Sequence, residues 1–499
     1  MKKTLVALLC ASALTVGTLG FVGCAKEDNS DLVIAYLSGG RGETYVEELV
    51  EAFKETTYVQ EWLEKNNKES LKVKIVKGGG ATIEDSVLNS INSGTTPSIM
   101  FLNKNMQNKL TESFISAKQL VDLSDLLDDN VYGETTALQD KLVDGLLNNY
   151  SAQPYGDGKT YALPAFYSPL GLWYDASRFY DDGEGTADTD GYTSVGSGEN
   201  ANKYELPHTW DEFWALGDYL NDQNSNNKNV SATAPSLFTY PTAGYFDGYI
   251  FAAIAGIAGE DKFLDALGYE DGIWLDADVK EALKTVVQLR DYLEPSTVSQ
   301  ANGTDFQNNQ QAVIGEANGS APGTALFIPN GDWLPSEMAE STPADFEWGF
   351  MPLPKTEEGN GAVATNLELV YLHEDGKNLD LAKQFLLFYF SDEGAKIVAE
   401  EANAIIPTKD ALTDAAENGI AQSTIDLYDV YNWEGYSAAV GSFVATGTVT
   451  GVNWNDVLFN DLNDDVFNSA HATTSIENLL NTWANKLETA SDQFRAVII

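Results

Sequence analysis

The chain has 499 residues, with 75 acidic side chains against 29 basic ones and a formal net charge of −46. A surface of that sign repels phosphate backbones, which excludes nucleic acid as a partner. Cysteine occurs only at Cys10 and Cys24, so the chain beyond Cys24 has no thiolate nucleophile, no thiolate metal site and no internal disulfide, and must be held by a core with room for two domains.

Lys2-Lys3 precede an apolar run from Leu5 to Val22, which Gly23-Cys24 closes. Basic, apolar and small in that order is an export signal over residues 1–24. Its last four residues, Phe21-Val22-Gly23-Cys24, resemble a bacterial lipobox, with phenylalanine where leucine is usual; the resemblance implies lipidation at Cys24. An ordinary secretory signal or an uncleaved anchor is the alternative. Polar residues 25–30 read as a tether. No later apolar run reaches membrane-spanning length.

Asp31 to Leu37 reads as a strand, followed by the glycine-rich turn Ser38 to Gly42 and a helix from Glu43 to Thr56. Leu71 to Val76 and Ser98 to Leu102 are two more strands, with a helix over Thr82 to Ile91 between them. Strand, helix, strand, helix, strand predicts a parallel sheet with covering helices. Ligands gather at the carboxyl ends of such strands, here Ser38 to Arg41 and Asn103 to Met106.

Gly158 to Asp175, GKTYALPAFYSPLGLWYD, carries prolines at 164 and 169. Each removes a ladder donor, so the pattern predicts an interrupted strand that crosses between lobes, with Phe166 and Tyr167 at the break where they could face a cleft. Asp181 to Glu205 is a polar insertion in which Asp188-Thr189-Asp190-Gly191 hints at a calcium loop, although EF-hand spacing is absent. Thr209 and Glu212 stand at capping-box positions for a helix. Further helices are predicted over Lys280 to Leu293, Leu379 to Tyr389, Glu393 to Glu401 and Ser475 to Ala490, and strands over Thr324 to Ile328 and from Phe346.

Catalytic patterns are missing. His208, His373 and His471 are isolated, which suggests neither an HExxH site nor a histidine-centred triad, and no GxSxG elbow occurs. Gly158-Lys159-Thr160 lacks the earlier glycine of a phosphate loop, and Gly40-Arg41-Gly42 lacks the last glycine of a dinucleotide fingerprint. Two placed carboxylates would suffice for a glycosidase, and acids are too abundant here for any pair to be informative.

Taken together, Tyr161-Ala162-Leu163-Pro164 with Leu172-Trp173-Tyr174-Asp175, Pro207 to Glu212, Thr324 to Trp333, and Leu381 to Phe385 with Ser391 to Gly394 resemble the extracellular solute-binding proteins of bacterial ABC sugar importers, in the maltose- and oligosaccharide-binding group. The resemblance implies an α/β periplasmic-binding-protein-like fold of two lobes, a ligand cleft between them, and three crossing segments near 164–170, 362–366 and 404–408. The lobes would comprise 31–165 with 364–407, and 166–363 with 408–499. It implies ligand contacts at Gly40, Arg41, Asn103, Asn105, Tyr245, Trp333 and Trp454, joining Phe166 and Tyr167. Trp433 and Tyr436 could line one end of a long cleft, and Trp173, Trp210, Trp274 and Trp348 are assigned to core or lobe surface. Gly40 and Asn105 stand where carboxylates are expected, and Ser168 where a glutamate would be, which argues against maltose itself. The implied protein is a monomer without cofactor or enzymatic activity that passes an oligosaccharide to a permease at the outer face of the cell membrane. A surface glycan-active hydrolase and a lipoprotein that only docks to another protein are the rival readings.

Overall fold

The computed structural model describes residues 29–38, 41–42, 44–79, 81–103, 109–144, 146–147, 152–181, 203–226, 234–301, 306–420, 422–429, 434–440, 448–449, 452–453, 456–468 and 473–498. Among them a nine-stranded sheet organises the chain. Its strands are β1 (Leu32–Leu37), β2 (Val73–Gly78), β3 (Ile99–Phe101), β4 (Ala162–Asp175), β5 (Ser236–Phe238), β6 (Ala325–Asn330), β7 (Trp348–Met351), β8 (Gly361–Leu372) and β9 (Tyr436–Val440). The order is β2-β1-β3-β8-β4-β6-β5, with β9 also on β8 and β7 also on β4.

The first three strands pair in parallel, β1 with both β2 and β3. Helices α1 (Tyr45–Lys54), α2 (Thr57–Asn66) and α3 (Ala81–Asn92) alternate with them. β1 is apolar at every position from Leu32 to Tyr36 because both of its faces are covered: Leu32, Ile34 and Tyr36 enter one core, Val33 and Ala35 another. The capping box forms as read. Glu212 N–H donates to Thr209 Oγ1 at 3.3 Å and Thr209 N–H to Glu212 Oε2 at 3.1 Å, opening the helix Trp210–Asn226. Helices Leu379–Tyr389, Asp392–Ala402 and Ile476–Ile498 also lie where periodicity places them.

The segment 158–175 differs from expectation. From Ala162 it is one continuous strand of 14 residues, antiparallel to β8, and both prolines lie in register, Pro164 opposite Leu369 and Pro169 opposite Thr365. The register slips between Glu368 and Leu369, so Ala165 is an extra residue on β4. This bulge brings the two proline nitrogens, five positions apart, to the same edge of the strand. No strand pairs with 162–169 on the edge away from β8 among the described residues. With the nitrogens on that edge, neither ring removes a ladder bond.

β4 and β8 are therefore the two long strands that connect the halves of the molecule. The upper part of β8 pairs with β3 on one edge and with β4 on the other; lower down, β4 pairs with β6 and β7, and β8 with β9. A second large core, built on Phe213, Phe246, Ile250, Trp274, Val286 and Trp483, covers the lower half. Trp173, Trp210 and Trp274 are buried and Trp348 is half-buried, as assigned. Ala411, Ala415, Leu427 and Tyr428 pack in the same core cluster as Ile405 and Ile406.

Close approach of β4 and β7 depends on Gly171, where a Cβ would lie 2.4 Å from the Met351 carbonyl oxygen. Gly171→Ala is expected to cost about 1–3 kcal/mol in urea unfolding. Gly79→Ala, where a Cβ meets nothing within 4 Å, should leave stability within about 0.5 kcal/mol; equal behaviour of the two would contradict the packing described.

Candidate functional site

The turn after β1 delivers Arg41 to the point where β4 and β8 pass between the halves. The side chain is 6% exposed and makes four hydrogen bonds. Its NH1 donates to Asp332 Oδ2 at 2.9 Å, and Nε and NH2 donate to Glu368 Oε1 at 3.1 and 2.9 Å. NH2 also donates to Ser168 Oγ. Tyr428 O–H donates to the same Asp332 oxygen at 2.9 Å. Thus both crossing strands and the turn after β6 converge on the guanidinium from the β1 turn, and the helix Gln422–Asp429 joins through Asp332.

Two aromatic rings flank the cation. Its Cζ lies 4.6 Å from the Phe166 ring centroid and 5.9 Å from that of Trp333. Burial opposes the Arg41 charge, but Asp332 and Glu368, with Tyr428 behind, outweigh it and hold the pKa above the ordinary value. Asp332 is 1% exposed on its side chain and its Oδ1 has no partner among the described residues.

The Trp333 ring packs against Gly331, where an added Cβ would come within 2.2 Å of it. The ring is half-buried, and Tyr245 stands beside it with ring centroids 6.5 Å apart. Burial, with Glu337 adding to it, pushes the Tyr245 hydroxyl up to about 12. Glu337, one helical turn after Trp333, is also raised by burial and accepts from Gln310 Nε2 at 2.9 Å.

Of the residues named from the sequence, Arg41, Phe166, Trp333 and Tyr245 thus come together. Phe166 is a correction to the expectation that it meets ligand: at 1% exposure its ring is occupied by Arg41 on one side and by Tyr45, 5.9 Å away, on the other. Tyr167 lies on β4 opposite Leu367, and its side chain is outside the description. Asn103 is half-buried after β3, its carbonyl accepting from Thr111 Oγ1 at 3.0 Å. Cys24, Gly40, Asn105, Trp433, Trp454 and the calcium-like loop at 188–191 lie outside the described residues. Tyr436 lines a separate cavity of about 600 Å³ with His208 and Lys355 in the lower half.

Sequence reading missed Asp332, Glu368 and Tyr428. Glu368 was visible as a lone acid in the strand Asn366-Leu367-Glu368-Leu369-Val370, two residues past the expected crossing. It lies on the strand next to Ser168, where a carboxylate had been expected. Two other carboxylate groups could be mistaken for metal sites. Glu134, Asp392 and Asp410 surround the Lys141 ammonium, and Asp271, Glu488 and Asp492 the Arg495 guanidinium, so each already holds a cation.

The model of a family described as bacterial extracellular solute-binding protein matches residues 48–424. The chain belongs to this family. As a solute-binding protein it is similar to the diacetylchitobiose binding protein NgcE of Streptomyces coelicolor (strain ATCC BAA-471 / A3(2) / M145), at 23% identity over 236 residues, 47% of this chain and 41% of that protein. The match thus spans less than half of that relative's length. The solved maltose-binding periplasmic protein MalE from Listeria monocytogenes, in complex with maltose, is similar at TM-score 0.58 and 15% identity, over 93% of this chain and 98% of that one. The solute receptor AcbH, described as exclusive for β-D-galactopyranose, gives TM-score 0.55 and 15% identity over 94% and 100% of the two chains. Apo RafE from Streptococcus pneumoniae gives TM-score 0.56 and 14% identity over 93% and 99%. Such likeness establishes the fold, which is the two-lobed one of these receptors; the solute-binding role comes from the family. The family is extracellular, and no helix among the described residues is long and apolar enough to cross a membrane.

Arg41→Met would leave two carboxylates without their cation, at an expected cost of about 3–5 kcal/mol at pH 8. A loss below about 1 kcal/mol, the size of an exposed ion pair, would contradict the network. Glu337 titrates above the ordinary carboxylate range, so its charge costs stability at neutral pH and nothing below its unfolded pKa. Glu337→Gln should therefore raise the melting temperature at pH 7, with the gain vanishing below about pH 4; a lowered melting temperature at pH 7 would refute this.

Proposed function

We propose that this protein captures a carbohydrate, an oligosaccharide rather than a single sugar, by closing its lobes around it and delivers it to the transmembrane subunits of an ABC importer. The observation that carries the proposal is the half-buried Trp333, beside Tyr245 and next to a bonded Arg41, where the crossing strands meet. A pyranose has apolar C–H faces that suit an aromatic platform and a rim of hydroxyls that suits amides, carboxylates and guanidinium groups. The carbohydrate names of the relatives support the same class. Gly40, Arg41, Asn103, Asn105, Tyr167, Tyr245, Trp333 and Trp454 are the proposed ligand-lining residues, with Phe166 as the support beneath Arg41. The lobes are taken as 31–165 with 364–407 and 166–363 with 408–499. Closure is a shift of population toward a state in which both lobes touch the sugar.

The protein works as a monomer at the outer face of the membrane, held by a lipid on Cys24 through the tether at 25–30. The parent should partition into Triton X-114 and Cys24→Ser into the aqueous phase; a parent already in the aqueous phase would refute the anchor.

A thermal-shift screen of the chain from residue 25 onward against neutral mono- and oligosaccharides tests the function. A ligand at about 100 times its Kd should add about 2.7 kcal/mol of stability, whereas silence across the panel would contradict the reading. Trp333→Ala should weaken the hit about tenfold to a hundredfold, or ~1.4–2.8 kcal/mol; unchanged affinity would remove Trp333 from the site.

A further inference from the structure

Arg41 does not treat its two acidic partners alike. Asp332 is 1% exposed, and the oxygen that takes Arg41 also takes the Tyr428 hydroxyl, so its carboxylate is sealed inside the protein. Glu368 keeps 16% exposure, and Arg41 holds only its Oε1, through both Nε and NH2. No hydrogen bond to Oε2 occurs among the described residues. The carboxylate is thus fixed in direction by a rigid fork and presents its second oxygen without further loss of rotamer freedom.

Its place in the fold matters as much as its geometry. Glu368 stands opposite Phe166, at the bulge where β4 and β8 pass between the lobes. Through Arg41 it adjoins Phe166 and the half-buried Trp333. A solute lying on Trp333 would thus have Glu368 nearby, across the Arg41 guanidinium that touches both.

We propose that Glu368 is the carboxylate that reads hydrogen-bond donors on the bound solute, and that it makes the site selective for neutral or amine-bearing saccharides over acidic ones. The proposal rests on the carbohydrate reading above. An ionised carboxylate only accepts, so it suits hydroxyl and ammonium groups and leaves a uronate oxygen facing another acceptor. Two carboxylates share one guanidinium here, so the cluster carries surplus negative charge, and an acidic sugar beside it would meet repulsion. The net charge of −46 acts in the same direction at long range. Salt screens that part and leaves the local one.

Calorimetry at about 0.15 M salt, where the Debye length is ~8 Å, tests this with a neutral oligosaccharide that passes the thermal screen, its C6-oxidised uronate counterpart and an amine-bearing counterpart. The parent should bind the uronate form at least about a hundredfold more weakly than either the neutral or the amine form. Glu368→Gln should weaken the neutral ligand about tenfold and reduce the neutral-to-uronate ratio below about tenfold. Equal binding of neutral and uronate ligands by the parent would overturn the inference and leave the sugar reading intact, and this ratio needs no variant. A folded Glu368→Gln that keeps the parent's ratio would also overturn it. Binding of no saccharide by the parent would overturn both.

Discussion

A guanidinium that cannot give up its proton is buried where the two lobes meet, and the surrounding structure is arranged to match that charge. Arg41 comes from the turn after the first strand, Glu368 and Ser168 from the two crossing strands, and Asp332 from the turn after β6. An unmatched buried cation would cost several kcal/mol, so these four segments hold their relative positions together or not at all. The Phe166 ring beneath the cation is part of the same constraint. The Trp333 platform follows Asp332 directly in sequence, so the ion pair that closes the core also fixes the aromatic surface beside it.

The crossing strands supply the frame for this arrangement. β4 and β8 run antiparallel through both halves, each packing one end in the upper core and the other in the lower. A bulge at Ala165 lets β4 carry two prolines in register, and Tyr389 O–H donates to the Ala165 carbonyl at 2.8 Å, satisfying the irregular backbone from the neighbouring helix. Bulges commonly redirect side chains next to functional sites, and this one sits beside Glu368.

Local order was legible in the sequence where one short pattern decides the outcome. β1 reads as a doubly covered strand because every position is apolar, and the helix at 210 reads from Thr209 and Glu212 alone. Arg41, Tyr245 and Trp333 were legible only through the family resemblance, since no short local pattern singles them out. The continuity of β4 was not, because a proline in isolation signals a break and only the pairing with β8, nearly two hundred positions away, shows how it is accommodated. Phe166 was read as facing a cleft because nothing local reveals that Arg41 and Tyr45 enclose it. Glu368 and Asp332 were missed for the same reason: in a chain with 75 acids, an important carboxylate is distinguished only by its partner, and that partner is far away in sequence.

The central claim is that solute binding and lobe closure are one event. Small-angle X-ray scattering of the chain from residue 25 onward, titrated with a saccharide whose occupancy is followed by tryptophan fluorescence, tests it most directly. The account predicts that the radius of gyration falls in proportion to occupancy and levels off at saturation. Full occupancy with an unchanged scattering profile would contradict it.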